Sequence, residues 1–274
     1  MMMRIGSRGL IVTALSLLAG CKGGLAGDGD ETSEALVSSS AALATESEGQ
    51  ALGALAFPSA ATPASGVATT LPTAEERAAA LKAYIDARLT CADAAQTGGL
   101  VNITFTKDCA WVGRRWTGTV AVSYQTAAAT AHLELGGVSV NGATFEGDMD
   151  VTLVADGHVT VQADWKVMRA TGVEVIGQWD TDFTWTDTTY TVVSAHHSLT
   201  IDGLTATLTK SNVSWNRDEV APSSGTVSFT GFQGQNWTLV YSRASDGKIN
   251  ITVTNGRGQS RTFTLPGTVE PQNA

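Results

Sequence analysis

The chain has 274 residues, of which 43% are hydrophobic and 16% charged, with a formal net charge of -9. That acidic balance, with no basic patch along it, excludes nucleic acid as a natural partner, because phosphate binding needs clustered Lys and Arg. Length alone allows one or two domains, but a long N-terminal stretch lacks the apolar residues of a core, so the foldable part is nearer to about 200 residues.

Residues 1–20 have the form of an export signal. Arg4 and Arg8 supply its positive start, and Leu10 to Leu18 supply an apolar stretch too short to span a bilayer. The stretch ends in Leu18-Ala19-Gly20-Cys21. This run resembles the lipobox of bacterial lipoproteins, and no named family is recognised beyond it. The resemblance implies cleavage before Cys21, a diacylglyceryl group on its thiol and acylation of the new amine. Two or three acyl chains anchor a protein stably without a transmembrane helix. In that class Asp after the cysteine favours the inner membrane. Lys22 stands here instead, which implies the outer membrane and leaves the leaflet open. The alternative is a secreted protein whose signal happens to end in Cys. Loss of Arg4 and Arg8 makes the mature chain about two charges more negative.

Residues 21–71 are rich in Ala, Ser, Gly and Thr, carry six acidic side chains and have almost no aromatics. Such a composition cannot bury enough apolar surface to offset the entropy of ordering. The segment is expected to be a flexible acidic stalk, with an end-to-end distance of roughly 40 Å, that holds the domain off the lipid.

Order is expected from Pro72, so that residues 72–274 form one helix plus an antiparallel β domain. Thr73-Ala74-Glu75-Glu76 reads as a capping box, and Ala78, Leu81, Ile85 and Leu89 then recur on one helical face over about residues 74–91. Cys91 and Cys109 are expected to pair in an exported chain, stapling the helix end to the first strand and adding about 3 kcal/mol; two buried thiols are the alternative. Neither Cys-x-x-Cys nor a neighbouring histidine suggests a metal.

After Gly99 the period becomes two. Val101, Ile103 and Phe105 alternate with polar residues, as do Val159 to Val167 and Trp237, Leu239 and Tyr241. Strand register follows from which loop length brings apolar faces together, since a slip of one residue turns every side chain over. A three-residue loop at Ala155-Asp156-Gly157 sets Leu153 against Val159 and Val151 against Val161, with Gly157 at the left-handed position. The same construction at Ser245-Asp246-Gly247 opposes Tyr241 and Ile251, and at Gly256-Arg257-Gly258 it opposes Ile251 and Phe263. The fold expected is mainly β: an antiparallel meander forming a curved sheet or partly closed barrel with one N-terminal amphipathic helix. A two-sheet β-sandwich is the alternative. A membrane-spanning barrel is disfavoured, because a lipid anchor would be redundant.

Few residues suggest chemistry. His196 and His197 are neighbours on a strand and point to opposite faces, so they cannot chelate one ion without a bulge. Asp148 with Asp150, and Asp180 with Asp182, lie two apart on one face, a spacing of roughly 7 Å that suits an acid/base pair or calcium, yet their alternation with other residues reads as a solvated face. Trp179, Phe183 and Trp185 share a face and are the candidate lining of a groove for a sugar ring or acyl chain, core packing being the plainer account. There is no Gly-x-Ser-x-Gly, His-Glu-x-x-His or Walker sequence.

The reading is therefore a lipid-anchored outer-membrane protein whose β domain is non-catalytic, with a structural, surface-contact or partner-binding role. It needs no cofactor or metal, and its partners are the membrane through Cys21 and another envelope protein, a glycan or an apolar ligand. A second reading is a carrier or acceptor of an apolar ligand or lipoprotein, which resembles in broad outline the half-barrel proteins that handle lipoproteins in bacterial envelopes. A third is an envelope-polymer hydrolase using one of the two Asp pairs.

Overall fold

The computed structural model describes residues 72–111, 114–125, 129–155, 157–168, 172–186, 188–216, 219, 221–232 and 234–267. The signal segment, Cys21 and the stalk lie outside the described residues.

Among the described residues one helix, α1 (Ala74–Arg88), precedes thirteen strands. They are β1 (Ala92–Thr97), β2 (Leu100–Trp111), β3 (Arg114–Tyr124), β4 (Thr130–Val140), β5 (Ala143–Ala155), β6 (His158–Met168) and β7 (Glu174–Trp185), then β8 (Thr189–Ile201), β9 (Leu204–Asn216), β10 (Ser224–Thr230), β11 (Asn236–Arg243), β12 (Ile249–Asn255) and β13 (Ser260–Leu265). Each strand bonds to its neighbour in sequence, giving one sheet in the order β1 to β13. Among the described residues β1 and β13 each have one neighbour, so the ladder is open. This is the mainly β antiparallel meander with one N-terminal helix, and not the two separately bonded sheets of a sandwich. Two compact units divide within β7, one of residues 72–180 and one of residues 181–267.

In the first unit the capping box forms as read. The Glu76 N–H donates to Thr73 Oγ1 at 3.2 Å, and the Thr73 N–H donates to Glu76 Oε2 at 2.7 Å. Ala78, Leu81 and Ile85 are buried, and α1 packs on β1, β2 and β3. The helix stops at Arg88, short of residue 91, and Leu89 is extended but still buried. The reason lies one step on: the Cys91 carbonyl accepts the Thr106 N–H and Thr106 Oγ1, both at 2.9 Å, which draws the chain out of the helix toward β2.

Cys91 and Cys109 are disulfide-bonded. Cys109 lies on β2, so the bond ties the helix end to the second strand, because a strand not expected from sequence, β1, comes first. Its residues, Ala-Asp-Ala-Ala-Gln-Thr, have poor β propensity and are recruited by pairing, with Ala92 opposite Phe105 and Thr97 opposite Leu100. Beside the disulfide, Phe105, Trp111 and Trp116 form a ring cluster with centroids 5.2–6.3 Å apart, and Trp116 Nε1 donates to the Trp111 carbonyl at 3.0 Å.

The hairpin registers agree with the loop argument. Leu153 faces Val159, Val151 faces Val161, Tyr241 faces Ile251 and Ile251 faces Phe263. At the first loop, pairing continues past an irregularity to Ala155 opposite His158. Gly157, Gly247 and Gly258 have φ of +71°, +81° and +77°, the left-handed position each loop requires. A fourth hairpin of the same form occurs at Gly231–Gln235, with Gly234 at φ +84°.

Candidate functional site

Alternation along β7 places Trp179, Thr181, Phe183 and Trp185 in one phase. Trp179 belongs to the first unit. It is buried there, with its ring edge-on to Trp165 at 5.5 Å. Phe183 and Trp185 belong to the second unit and are half-buried, their rings 5.8 Å apart. The three aromatic residues picked out by sequence are thus a core residue of one unit and a stacked pair in the other.

Two further rings extend that pair. Tyr190 on β8 lies 6.0 Å from Phe183, and Trp215, directly opposite Tyr190 on β9, lies 5.8 Å from it. Successive planes differ by only 19° to 27°, so Trp185, Phe183, Tyr190 and Trp215 form a ladder of near-parallel rings. Its terminal rings, Trp185 and Trp215, are half-buried. Such faces suit an acyl chain or a flat ring. Tyr190 and Trp215, 25 residues apart, meet through the register that the Asp202-Gly203 turn sets between β8 and β9.

Past a break in alternation at Val193–Ser194 on β8 and Ser211–Asn212 on β9, the buried side of these strands carries two polar side chains among apolar ones. His197 and Lys210 are both buried, on adjacent strands and one step out of register, with His197 opposite Leu208 and Lys210 opposite Ala195. Thr181 Oγ1 lies 2.9 Å from His197 Nε2. His196, as alternation requires, points the other way and is exposed. Among the described residues no group of three or more His, Cys, Asp and Glu is arranged to hold a metal ion.

The Asp148 and Asp150 carboxylates acquire a partner that sequence reading missed. His132 on β4 is opposite Asp150, with its Nδ1 2.8 Å from Asp150 Oδ1 and its Nε2 3.5 Å from Asp148 Oδ1. The imidazole bridges both carboxylates on an open strand face, where the three side chains are 37%, 63% and 49% exposed for His132, Asp148 and Asp150. Solvent screens charges this exposed. Asp180 is exposed and Asp182 half-buried, and they fall on either side of the division in β7.

The outward phase of β9 to β13 has a different character. Thr209, Ser228, Thr238, Thr254 and Ser260 form one continuous rung across the five strands. The next rung holds only Ser and Thr apart from Val240, and no outward position of β10 to β13 is charged. Hydroxyls pair across strands: Thr252 with Thr262 at 2.9 Å and Thr254 with Ser260 at 2.7 Å. No family model, curated protein or solved structure matches this chain.

Proposed function

We propose that the chain is a lipid-anchored protein of the bacterial outer membrane whose β meander works by surface contact with another envelope component and not by catalysis. The anchor rests on Leu18-Ala19-Gly20-Cys21 after an apolar signal. The contact role rests on one observation, the uncharged outward face of β9 to β13 in a chain of formal net charge -9. A solvated face with no other task usually carries Lys, Glu and Asp, as the β4 and β5 face does with His132, Glu134, Asp148 and Asp150. Mass spectrometry of the protein purified from membranes tests the anchor. Acylated Cys21 at the mature N-terminus is the expected species, with Cys21→Ala released from the membrane; an unmodified or differently cleaved terminus refutes the anchor.

The aromatic ladder favours a second reading, a carrier of an apolar ligand, since its terminal rings Trp185 and Trp215 are only half-buried and His197 and Lys210 are buried further along the adjoining strands. Titration with a long-chain fatty acid followed by tryptophan fluorescence tests it. A saturable change that disappears in Trp215→Ala supports carriage, and an unchanged spectrum opposes it.

A further inference from the structure

The outward face of β9 to β13 limits its own partner by what it lacks. Nucleic acids and acidic glycans need clustered cations, and no outward position of β10 to β13 supplies one. Interfacial membrane binding needs aromatic and basic side chains, also missing from this phase. Protein interfaces are enriched at their centres in aromatic residues, Met and Arg, and depleted in Ser and Thr, the reverse of this composition. Charge and composition leave a neutral, polyhydroxylated partner.

The face has the means to bind one. Strands repeat about every 4.8 Å and alternate residues about every 6.7 Å, so the hydroxyls stand on a two-dimensional grid. Cross-strand pairs hold them in place: Thr252 to Thr262, Thr254 to Ser260, Thr264 donating to Asn250 at 2.8 Å and Thr230 donating to Asn236 at 2.7 Å. A hydroxyl has one proton and two acceptor sites, so each Thr–Thr or Thr–Ser pair uses one proton and keeps another with several lone pairs free for a ligand. Threonine methyls between them offer apolar patches for C–H faces. Each hydroxyl contact is weak, on the order of 1 kcal/mol, and only a repeating polymer makes many at once.

We propose that this face binds a neutral polysaccharide. The assignment rests on the surface-contact reading above and names its partner class. It is tested with the full-length protein in detergent, by depletion from solution onto insoluble cellulose or β-1,3-glucan, with alginate as the charged control. Retention on a neutral glucan is expected. Thr238→Lys and Thr252→Lys bury an unpaired ammonium under the polymer and should lower retention about tenfold or more. Val240→Lys, at a position already exposed, adds charge without breaking a hydroxyl pair and should do the same, so the test survives if a Thr variant misfolds. Thr104→Lys, an exposed position on β2 in the first unit, should bind as wild type. Absence of retention on every neutral glucan, equal retention by all variants, or capture by growing ice without glucan retention would overturn the proposal. Failure of the anchor shows separately, in the mass of the N-terminus, and leaves glucan retention to be read by itself.

Discussion

The guanidinium carbon of Arg77 on α1 lies 5.3 Å from the centre of the Tyr124 ring at the end of β3, and an Arg77 amino group donates to the Gln125 carbonyl. One arginine thus ties the first turn of the helix to the strand beneath it, through a cation over an aromatic face and a hydrogen bond to backbone. Tyr124 is buried, and burial pushes its phenol well above the ordinary value, with Arg77 opposing by a smaller amount. The folded state therefore holds the phenolic proton more tightly than the unfolded chain. Its contribution to stability is complete below the unfolded value of about 10 and is lost as pH rises from there through the folded value. Tyr124→Phe removes the titrating group, so between about pH 9 and 11 the urea midpoint of wild type should fall more steeply than that of the variant. Parallel slopes would mean that Tyr124 does not carry the alkaline sensitivity.

Removing the Cys91–Cys109 bond should cost about 3 kcal/mol, because the two residues are separated by 18 positions and a closed loop of that size restricts the unfolded chain. A Cys91→Ser, Cys109→Ser double variant, compared with wild type in urea with and without reductant, checks this. Wild type under reductant should match the variant. Since Thr106 also holds the Cys91 carbonyl, the far-UV spectrum of the variant should retain its helix at low urea. A variant as stable as oxidised wild type would show that α1 is held by packing alone.

Register was the most legible feature of the sequence, because hydrophobic faces and loop length leave a single solution once both must agree. Leu153–Val159 and Ile251–Phe263 were fixed that way. Two tight turns, Asn141-Gly142 and Asp202-Gly203, carry an equally strong signal in their dipeptides, and both residues of each have positive φ, as two-residue hairpins demand. β1 was not legible, since Ala92, Ala94 and Ala95 resemble helix residues and only the pairing partner makes them a strand. Candidate sites were harder still. His132 is separated from Asp150 by 18 residues, and the Tyr190–Trp215 step by 25, so each appears only after strands are paired.

Gly147 should be far less tolerant of a side chain than Gly137, although both have positive φ, +124° and +85°. A Cβ on Gly147 would stand 2.3 Å from the Asp164 carbonyl oxygen and 2.8 Å from the Trp165 Cα, both backbone atoms of β6, while a Cβ on Gly137 would meet nothing within 4 Å. Gly137→Ala therefore carries only conformational strain, about 1 kcal/mol. Gly147→Ala must also push β6 away from β5, and should cost about 3 kcal/mol or more. Urea unfolding of both variants decides it, and equal losses would mean that β5 and β6 separate freely at the Gly147–Trp165 pair.

The ladder end at Trp215 is held by an ion pair whose two partners are very unequally buried. The Glu219 side chain is 1% exposed, and it accepts the Asn216 N–H at 2.7 Å and the Asn216 side-chain amide at 3.1 Å while pairing with Arg243, which is 41% exposed. Removing Arg243 takes its cation away from a carboxylate held out of water, and breaking such a pair costs about 3 kcal/mol. The Lys82–Asp86 pair on α1 is the internal comparison, because both side chains are exposed and such pairs contribute only about 0.5 kcal/mol. Arg243→Ala should thus lower the urea midpoint clearly and Lys82→Ala hardly at all. Glu219→Gln introduced into Arg243→Ala removes the stranded charge and should restore part of the loss. Because Asn216 follows Trp215 directly, Arg243→Ala should also shift the tryptophan emission toward the solvated wavelength before global unfolding. An Arg243→Ala variant with the stability of Lys82→Ala and unchanged emission would mean that Arg243 does not hold Glu219 and the end of the ladder.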